Sequence, residues 1–376
     1  MTFALLAGNM HFVSTINLRG KKLILPTFFP DATRGFIRGV STQDLENIGI
    51  PGLVTNTFHL MSMPGTRIIN NLGGAKQFMR WGGFLITDSG GFQVMSLIHK
   101  NPKLGKLTDR GVTFSMDSLG KKKEYDFTPE HCIEEQFRLN ADIMICLDDC
   151  PSHTASKEEI IQSIERTVSW AKRCKIEFEK QCNKRKLTEK DRPHLFAVVQ
   201  GGKYPELRTM CGERLSEIGF DGYGFGGFPV SDDGRFLKEE LQAVVDSTPG
   251  DKPKYGLGVG TPSGIVESVR MGYTIFDCVL PTRDARHKRL YVFKEDPKIS
   301  SLNGDFWSYI SIGKEKYISD PRPISEFCDC YTCRTYSRAF LYHLFKVGDS
   351  LAGRLSTIHN LRMYQQLMER LQELEV

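Results

Sequence analysis

No apolar run in this 376-residue chain approaches the ~18 residues that a membrane-spanning helix needs. The early patch Phe3–Ala7 is too short, and too weakly basic in front, to read as a secretory signal. Charge of either sign is in no large excess: 50 Lys and Arg stand against 45 Asp and Glu, and the net +5 permits a polyanionic partner without requiring one. Internal repeats and low-complexity segments are missing, so fibrous and disordered classes are poor readings. Ten cysteines are scattered apart from one cluster at Cys328, Cys330 and Cys333, which argues against a disulfide framework and makes a metal the local question. What remains is a cytoplasmic globular protein with no membrane partner, and at 40% hydrophobic residues it can bury a sizeable core.

Short apolar, β-rich runs occur at Leu23–Phe29, Gly52–Asn56, Phe84–Asp88, Asp142–Leu147, Leu195–Gln200, Gly222–Gly226, Gly256–Gly260 and Ile275–Val279. Most are continuous rather than alternating, as strands buried on both faces are. Helical patterns separate several of them. Ser156-x-x-Glu159 is a capping box ahead of Ile160, Ile164 and Val168, Thr128-Pro129 opens another helix, and Pro205–Ile218, Arg235–Val245 and Ser263–Met271 have helical character. Eight strands alternating with helices predict an α/β fold, a (β/α)8 barrel over residues 1–282, with a doubly wound sheet as the alternative. A surface hairpin is expected near 111–127, Lys180–Arg192 reads as a solvated connection, and residues 283–376 form a C-terminal metal-binding subdomain.

In such a barrel the chemistry gathers where strands end. Asp88 leads Ser89-Gly90-Gly91-Phe92-Gln93, Asp148 begins Asp148-Asp149-Cys150, Gln200 precedes Gly201-Gly202, Gly226-Gly227 follows the sixth strand, and Asp277 lies near the end of the eighth. A lone aspartate at such a place is most simply a helix cap. Three acids and a glutamine on one rim suggest a pocket presenting donors and acceptors to a flat ligand. A carboxylate can attack a sugar's anomeric carbon while a second handles the leaving group's proton, so glycosyl chemistry is open. A metal-dependent hydrolase would want histidines at these strand ends, and they carry none.

Cys328-x-Cys330-x2-Cys333 supplies three thiolates, and His359 or His343 supplies an imidazole; such a set closes a tetrahedral Zn2+ site that is structural because no position is left for water or substrate. Beside the last strand, Arg283, Arg286, Lys288 and Arg289 set four cations against Asp284, a placement suited to phosphate or base contacts on a nucleic acid.

Seven motifs in order along nearly the whole chain resemble the bacterial-type tRNA-guanine transglycosylases, the queuine tRNA-ribosyltransferase family. They are Asn56-Thr57-Phe58-His59-Leu60, Thr87–Gln93, Asp148-Asp149-Cys150, Val199–Gly202, Gly256–Pro262, Phe276–Arg283, and the cysteine set with His359-Asn360-Leu361. The resemblance implies exchange of the wobble guanine of GUN-anticodon tRNAs for a free 7-deazaguanine, either the 7-aminomethyl precursor or queuine. By that likeness Asp277 is the nucleophile and Asp88 the general acid/base. Asp148 and Gln200 meet the purine's hydrogen-bonding edge, and the Gly227 N–H meets its carbonyl. Leu257 and Phe92 cover the two ring faces. The resemblance also places Arg283 and Arg286 on the flanking uridines, makes His359 the fourth zinc ligand, and implies a homodimer.

Where bacterial relatives usually read Gly-Gly-Leu-Ala-Val-Gly-Glu, this chain has Gly226-Gly227-Phe228-Pro229-Val230-Ser231-Asp232. That segment meets the 7-substituent, and Pro229 removes a backbone donor there. The change favours queuine, whereas Cys150, which precursor-using bacterial enzymes carry, favours the precursor. Pro30-Asp31-Ala32-Thr33 also departs from the family pattern, without a consequence derivable from sequence. Two other readings stand beside this one. A noncatalytic tRNA-binding partner subunit should have lost Asp277 or Asp88, and both are present. A barrel glycoside hydrolase should place aromatic platforms at the strand ends, and Trp81, Trp170 and Trp307 do not lie there.

Overall fold

A computed structural model describes residues 13–118, 121–231, 233–298 and 302–373. Fifteen strands occur among them, in chain order β1 (Thr15–Leu18), β2 (Lys21–Ile24), β3 (Thr27–Pro30), β4 (Gly52–Asn56), β5 (Phe84–Asp88), β6 (Gly105–Thr108), β7 (Gly111–Ser118), β8 (Lys121–Phe127), β9 (Ile143–Ile145), β10 (His194–Val199), β11 (Gly222–Phe225), β12 (Lys254–Gly256), β13 (Tyr273–Cys278), β14 (Arg289–Phe293) and β15 (Trp307–Ser311). Eight of them form one parallel sheet in the order β3-β13-β12-β11-β10-β9-β5-β4. A parallel bridge between Asp31 and Val54 joins its two ends, with the Ala32 N–H donating to the Val54 carbonyl at 2.7 Å. The expected (β/α)8 barrel is therefore the fold.

Consecutive residues along these strands separate into two cores, because side chains alternate across a strand. Phe29, Val54, Ile86, Phe196, Val198 and Ile275 fill the barrel interior. Their neighbours Phe28, Ala197 and Phe276 face outward under the helices. Both faces are buried, which is why the sequence reads as continuous apolar runs. Ser156 forms its capping box, opening a helix over Lys157–Lys184, and Thr128 caps Pro129–Leu139 through the His131 N–H. The first of these runs into the segment read as a connection, leaving only Arg185–Pro193 to link it to β10.

The strand expected over Asp142–Leu147 shortens to β9 and the helix expected over Arg235–Val245 runs Lys238–Asp246, and three further elements differ in their pairing. Leu23–Phe29 divides into β2, which pairs antiparallel with β1, and the barrel strand β3. Pro26 lies between them and has no N–H to give a ladder. The seventh barrel strand is β12, and Leu257–Gly260 leaves the ladder in a turn with Gly258 at φ +73°. The surface hairpin, β7 with β8, gains β6 as a third strand; Leu119 and Gly120 at its tip lie outside the described residues. Beyond the barrel, β14 pairs with β15, and Leu290, Ile312, Ile324, Leu341 and Leu355 form a separate small core. The closing helix Ser350–Gln372 returns to the barrel, where the Tyr364 hydroxyl donates to the Gly260 carbonyl at 2.6 Å. Among the described residues no helix is long and apolar enough to cross a membrane.

Candidate active site

At the C-terminal end of the barrel the inward-facing row turns polar. Ile86 is followed two residues on by Asp88, Val198 by Gln200 and Ile275 by Asp277, so strand alternation aims all three side chains at the mouth. Asn56 pairs in register with Asp88 and donates to its carboxyl at 2.6 Å, while the Thr57 hydroxyl holds the Asp88 carbonyl. Burial, together with the charges of Asp148 and Asp31, pushes the Asp88 carboxyl up to about 7. Asp277 reaches about 7 as well, through burial and Asp31, with the Gly258 N–H (3.2 Å) and the Tyr255 hydroxyl opposing the rise. A carboxyl poised near neutrality can either carry or accept a proton, which acid–base work requires.

Asp148 is buried and receives the Gln200 amide at 2.6 Å; burial raises it to about 6. Its neighbour Asp149 does something else: it turns away to Arg166 at 2.6 Å, a structural ion pair. Gly226 packs on Gln200 so tightly that a Cβ would fall 2.5 Å from the amide nitrogen, and Gly227 adopts φ +88°, a conformation glycine accepts without strain. Gln200, Gly226, Gly227, Cys150 and Phe228 line a cavity of about 140 Å³. Burial pushes the Cys150 thiol up, making it a wall of that cavity and not a nucleophile. Phe92 and Phe228 remain 39% exposed and meet edge to face at 5.4 Å, and the His153 ring lies 3.9 Å from that of Phe228. Leu257 packs against the barrel interior. Asp232 lies outside the described residues. A larger cavity of about 570 Å³ opens at the other end of the barrel, near Leu195 and Asp221 at strand starts, and none of these polar groups lines it.

Sequence reasoning missed three contributors. Asp31 stands at the rim beside both neutral-poised acids. Arg208, buried, donates to the carbonyls of Gly202, Val199 and Gly226 at 2.9–3.0 Å and stacks on Phe225, bracing the pocket's backbone. His153 extends the aromatic row. Only Asp31 had a sequence signal, its position directly after a barrel strand.

Arg283 is half exposed and pairs loosely with Asp284, which also takes Arg289 and the Tyr291 hydroxyl. Arg286 donates to the Thr282 carbonyl and faces Arg38 and Arg283; burial and those like charges lower its pKa. Among the described residues Arg286 has no carboxylate partner, and a guanidinium held among cations favours an incoming anion.

Cys328, Cys330, Cys333 and His359 come together with their ligand atoms within 4.8 Å of one another. The His359 Nε2–H donates to the Tyr291 carbonyl at 2.7 Å, which leaves Nδ1 facing the Cys333 and Cys330 sulfurs at 3.3 and 3.8 Å. The cluster is largely buried, its imidazole is oriented by a second partner, and Cys330 accepts the Cys333 N–H. The set fits one tetrahedral metal ion. His343, the alternative by spacing, is not in it.

Comparison with known proteins agrees in extent. The family profile described as Queuine tRNA-ribosyltransferase matches residues 12–374. The Queuine tRNA-ribosyltransferase of Actinobacillus pleuropneumoniae serotype 3 (strain JL03) is 40% identical over 352 residues, covering 93% of this chain and 84% of its own. Its namesakes in Psychrobacter sp. (strain PRwf-1) and Acinetobacter baylyi (strain ATCC 33305 / BD413 / ADP1) are 38% identical over 359 residues (96% and 88%) and 40% over 352 residues (93% and 83%).

Proposed function

The chain belongs to the queuine tRNA-ribosyltransferase family, a family of pentosyltransferase enzymes, and from that premise we propose that it exchanges the wobble guanine of GUN-anticodon tRNAs for a free 7-deazaguanine by double displacement. The observation that carries this reading is the polar rim, where Asp88, Asp148, Gln200 and Asp277 converge at one end of a closed barrel.

Asp277 is the nucleophile at the ribose anomeric carbon. Its carboxylate, steadied by the Gly258 N–H and the Tyr255 hydroxyl, forms a bond to that carbon as the guanine bond breaks. Asp88, poised near neutrality, gives the departing purine its proton and takes one from the incoming base. The second displacement frees Asp277 and restores the original configuration. Asp148 and Gln200 bind the purine edge, aided by the Gly227 N–H. A base lacking the matching donors would leave the remaining hydrogen-bonding atoms of these two buried side chains without partners, a discrimination that can reach roughly 10⁴–10⁵. Leu257 and Phe92 enclose the ring, while Cys150 and Phe228 bound the space for the 7-substituent. Arg283 and Arg286 hold the uridines that flank the wobble base.

Residues 283–376 act as a zinc-binding subdomain. Cys328, Cys330, Cys333 and His359 would hold one Zn2+, which would cross-link this subdomain and, with four protein ligands, would leave no position for water or substrate. We take the enzyme to work as a homodimer in the cytoplasm, where its RNA substrate is.

The test supplies guanine, the 7-aminomethyl precursor and queuine separately to an unmodified GUN-anticodon tRNA. Incorporation of a 7-deazaguanine that disappears when the wobble guanine is replaced supports the reading, and the preferred base identifies what Phe228–Ser231 select. No incorporation of any base, or incorporation indifferent to the wobble position, would refute it.

A further inference from the structure

Asp31 plays no part in the scheme above, yet the barrel's register places it between that scheme's two acids. On one side Phe29 pairs with Asp277, and Asp31, two residues further on and just past the end of β3, continues the alternation onto the same inward face. On the other side Asp31 bridges to Val54, and two residues past Val54 comes Asn56, the hydrogen-bond partner of Asp88. The strand order β13-β3-β4-β5 around the closed rim therefore runs Asp277, Asp31, Asn56, Asp88. The Thr33 hydroxyl donates to Asp31 at 2.5 Å and fixes its carboxyl. Among the described residues no lysine or arginine forms an ion pair with Asp31, Asp88, Asp148 or Asp277.

Three carboxyls in one half-buried rim without a counter-cation cannot all ionise freely, since each negative charge raises the cost of the next. They titrate as a set, and the proton count belongs to the set before it belongs to any member. We propose that Asp31 is the third carboxylate of the reaction centre, a positioning residue that decides how protons are shared between Asp277 and Asp88. The proposal rests on the roles given to those two acids above.

The charge of Asp31 acts on both, and on the Tyr255 hydroxyl and Cys278 thiol that border the same space. Asp148 adds a further negative charge on the Asp88 side. An ionised Asp31 keeps a proton on Asp88 into the neutral range, where the first displacement needs an acid, and it sets how far pH must rise before Asp277 becomes a free nucleophile. Both limbs of the pH–rate profile thus depend on Asp31, which acts through its two neighbours.

The test is Asp31→Asn, which keeps size and a hydrogen-bonding oxygen for Thr33 while removing the charge. For guanine exchange into tRNA, the bell-shaped profile of kcat/KM should move to lower pH on both limbs by about one unit. A purely structural role would lower the rate or the melting temperature and leave the limbs in place, and superimposable limbs overturn the proposal. Asp31→Val, a β-branched residue suited to a strand end, repeats the test should the asparagine variant fail to fold. A second readout is independent of turnover: the infrared band of the protonated carboxyl, assigned by its loss in Asp88→Asn, should titrate at lower pH in Asp31→Asn than in the wild type. If the wild type exchanges no base, the reaction scheme fails, and the infrared titration still decides for or against Asp31.

Discussion

Asp88→Asn should stabilise the protein at alkaline pH while destroying its activity. The Asp88 carboxyl is raised from 3.8 to about 7 by burial and by the charges of Asp148 and Asp31. A folded-state pKa above the unfolded one means that the fold disfavours the ionised form. The stability linked to this group is complete below 3.8 and is lost as pH climbs through about 7. A rise of about three units at about 1.4 kcal/mol each sets a ceiling near 4 kcal/mol. The side chain is only half-buried, and its bond from Asn56 survives in the variant, so about 2 kcal/mol is the expected gain. Denaturant unfolding of variant and wild type, compared at about pH 8.5 and again at about pH 4, should show that gain at the higher pH and little of it at the lower. A gain of equal size at both, or none at the higher, would refute the assignment of burial and like charge as the cause.

Cys330→Ser should lower zinc content and thermal stability together, because a structural zinc can contribute roughly 10–16 kcal/mol of apparent binding energy; unchanged metal by elemental analysis would remove Cys330 from the ligand set. Arg286→Ala should weaken tRNA binding about tenfold or more at fixed salt, as expected for loss of a charged hydrogen bond, and leave free-base affinity alone. An unchanged tRNA dissociation constant would count against it. Gln200→Ala strips Asp148 of its partner and should raise the KM for the free base by about 10- to 100-fold without altering tRNA binding, measured by initial rates with each substrate varied in turn.

The barrel was legible because strands buried on both faces leave continuous apolar runs, and helix starts carry caps such as Ser156 and Thr128. Boundaries failed where one residue breaks a ladder that its apolar neighbours suggest. Pro26 splits the first run, and the turn at Gly258 moves the end of β12 back to Gly256. That same turn aims the Gly258 N–H at Asp277, a contact that no linear pattern records. The rim acids were legible as aspartates at strand ends, but their neighbours were not equally so. Asp148 and Asp149 are adjacent and chemically identical, and only the fold sends one to Gln200 and the other to Arg166. Asp31 was passed over because its significance depends on closure between β3 and β4, a pairing across the seam of the barrel. His359 and His343 were equivalent by spacing alone, and the return of the closing helix beside Tyr291 separates them.

A covalent bond between Asp277 and the ribose is tested most simply by trapping it. Wild-type protein incubated with GUN-anticodon tRNA should yield a protein–RNA adduct on a denaturing gel that is chased away by added free base. Asp277→Asn, folded by its melting curve, should yield none. An adduct at full yield in that variant would show that another group attacks the sugar and would contradict the account.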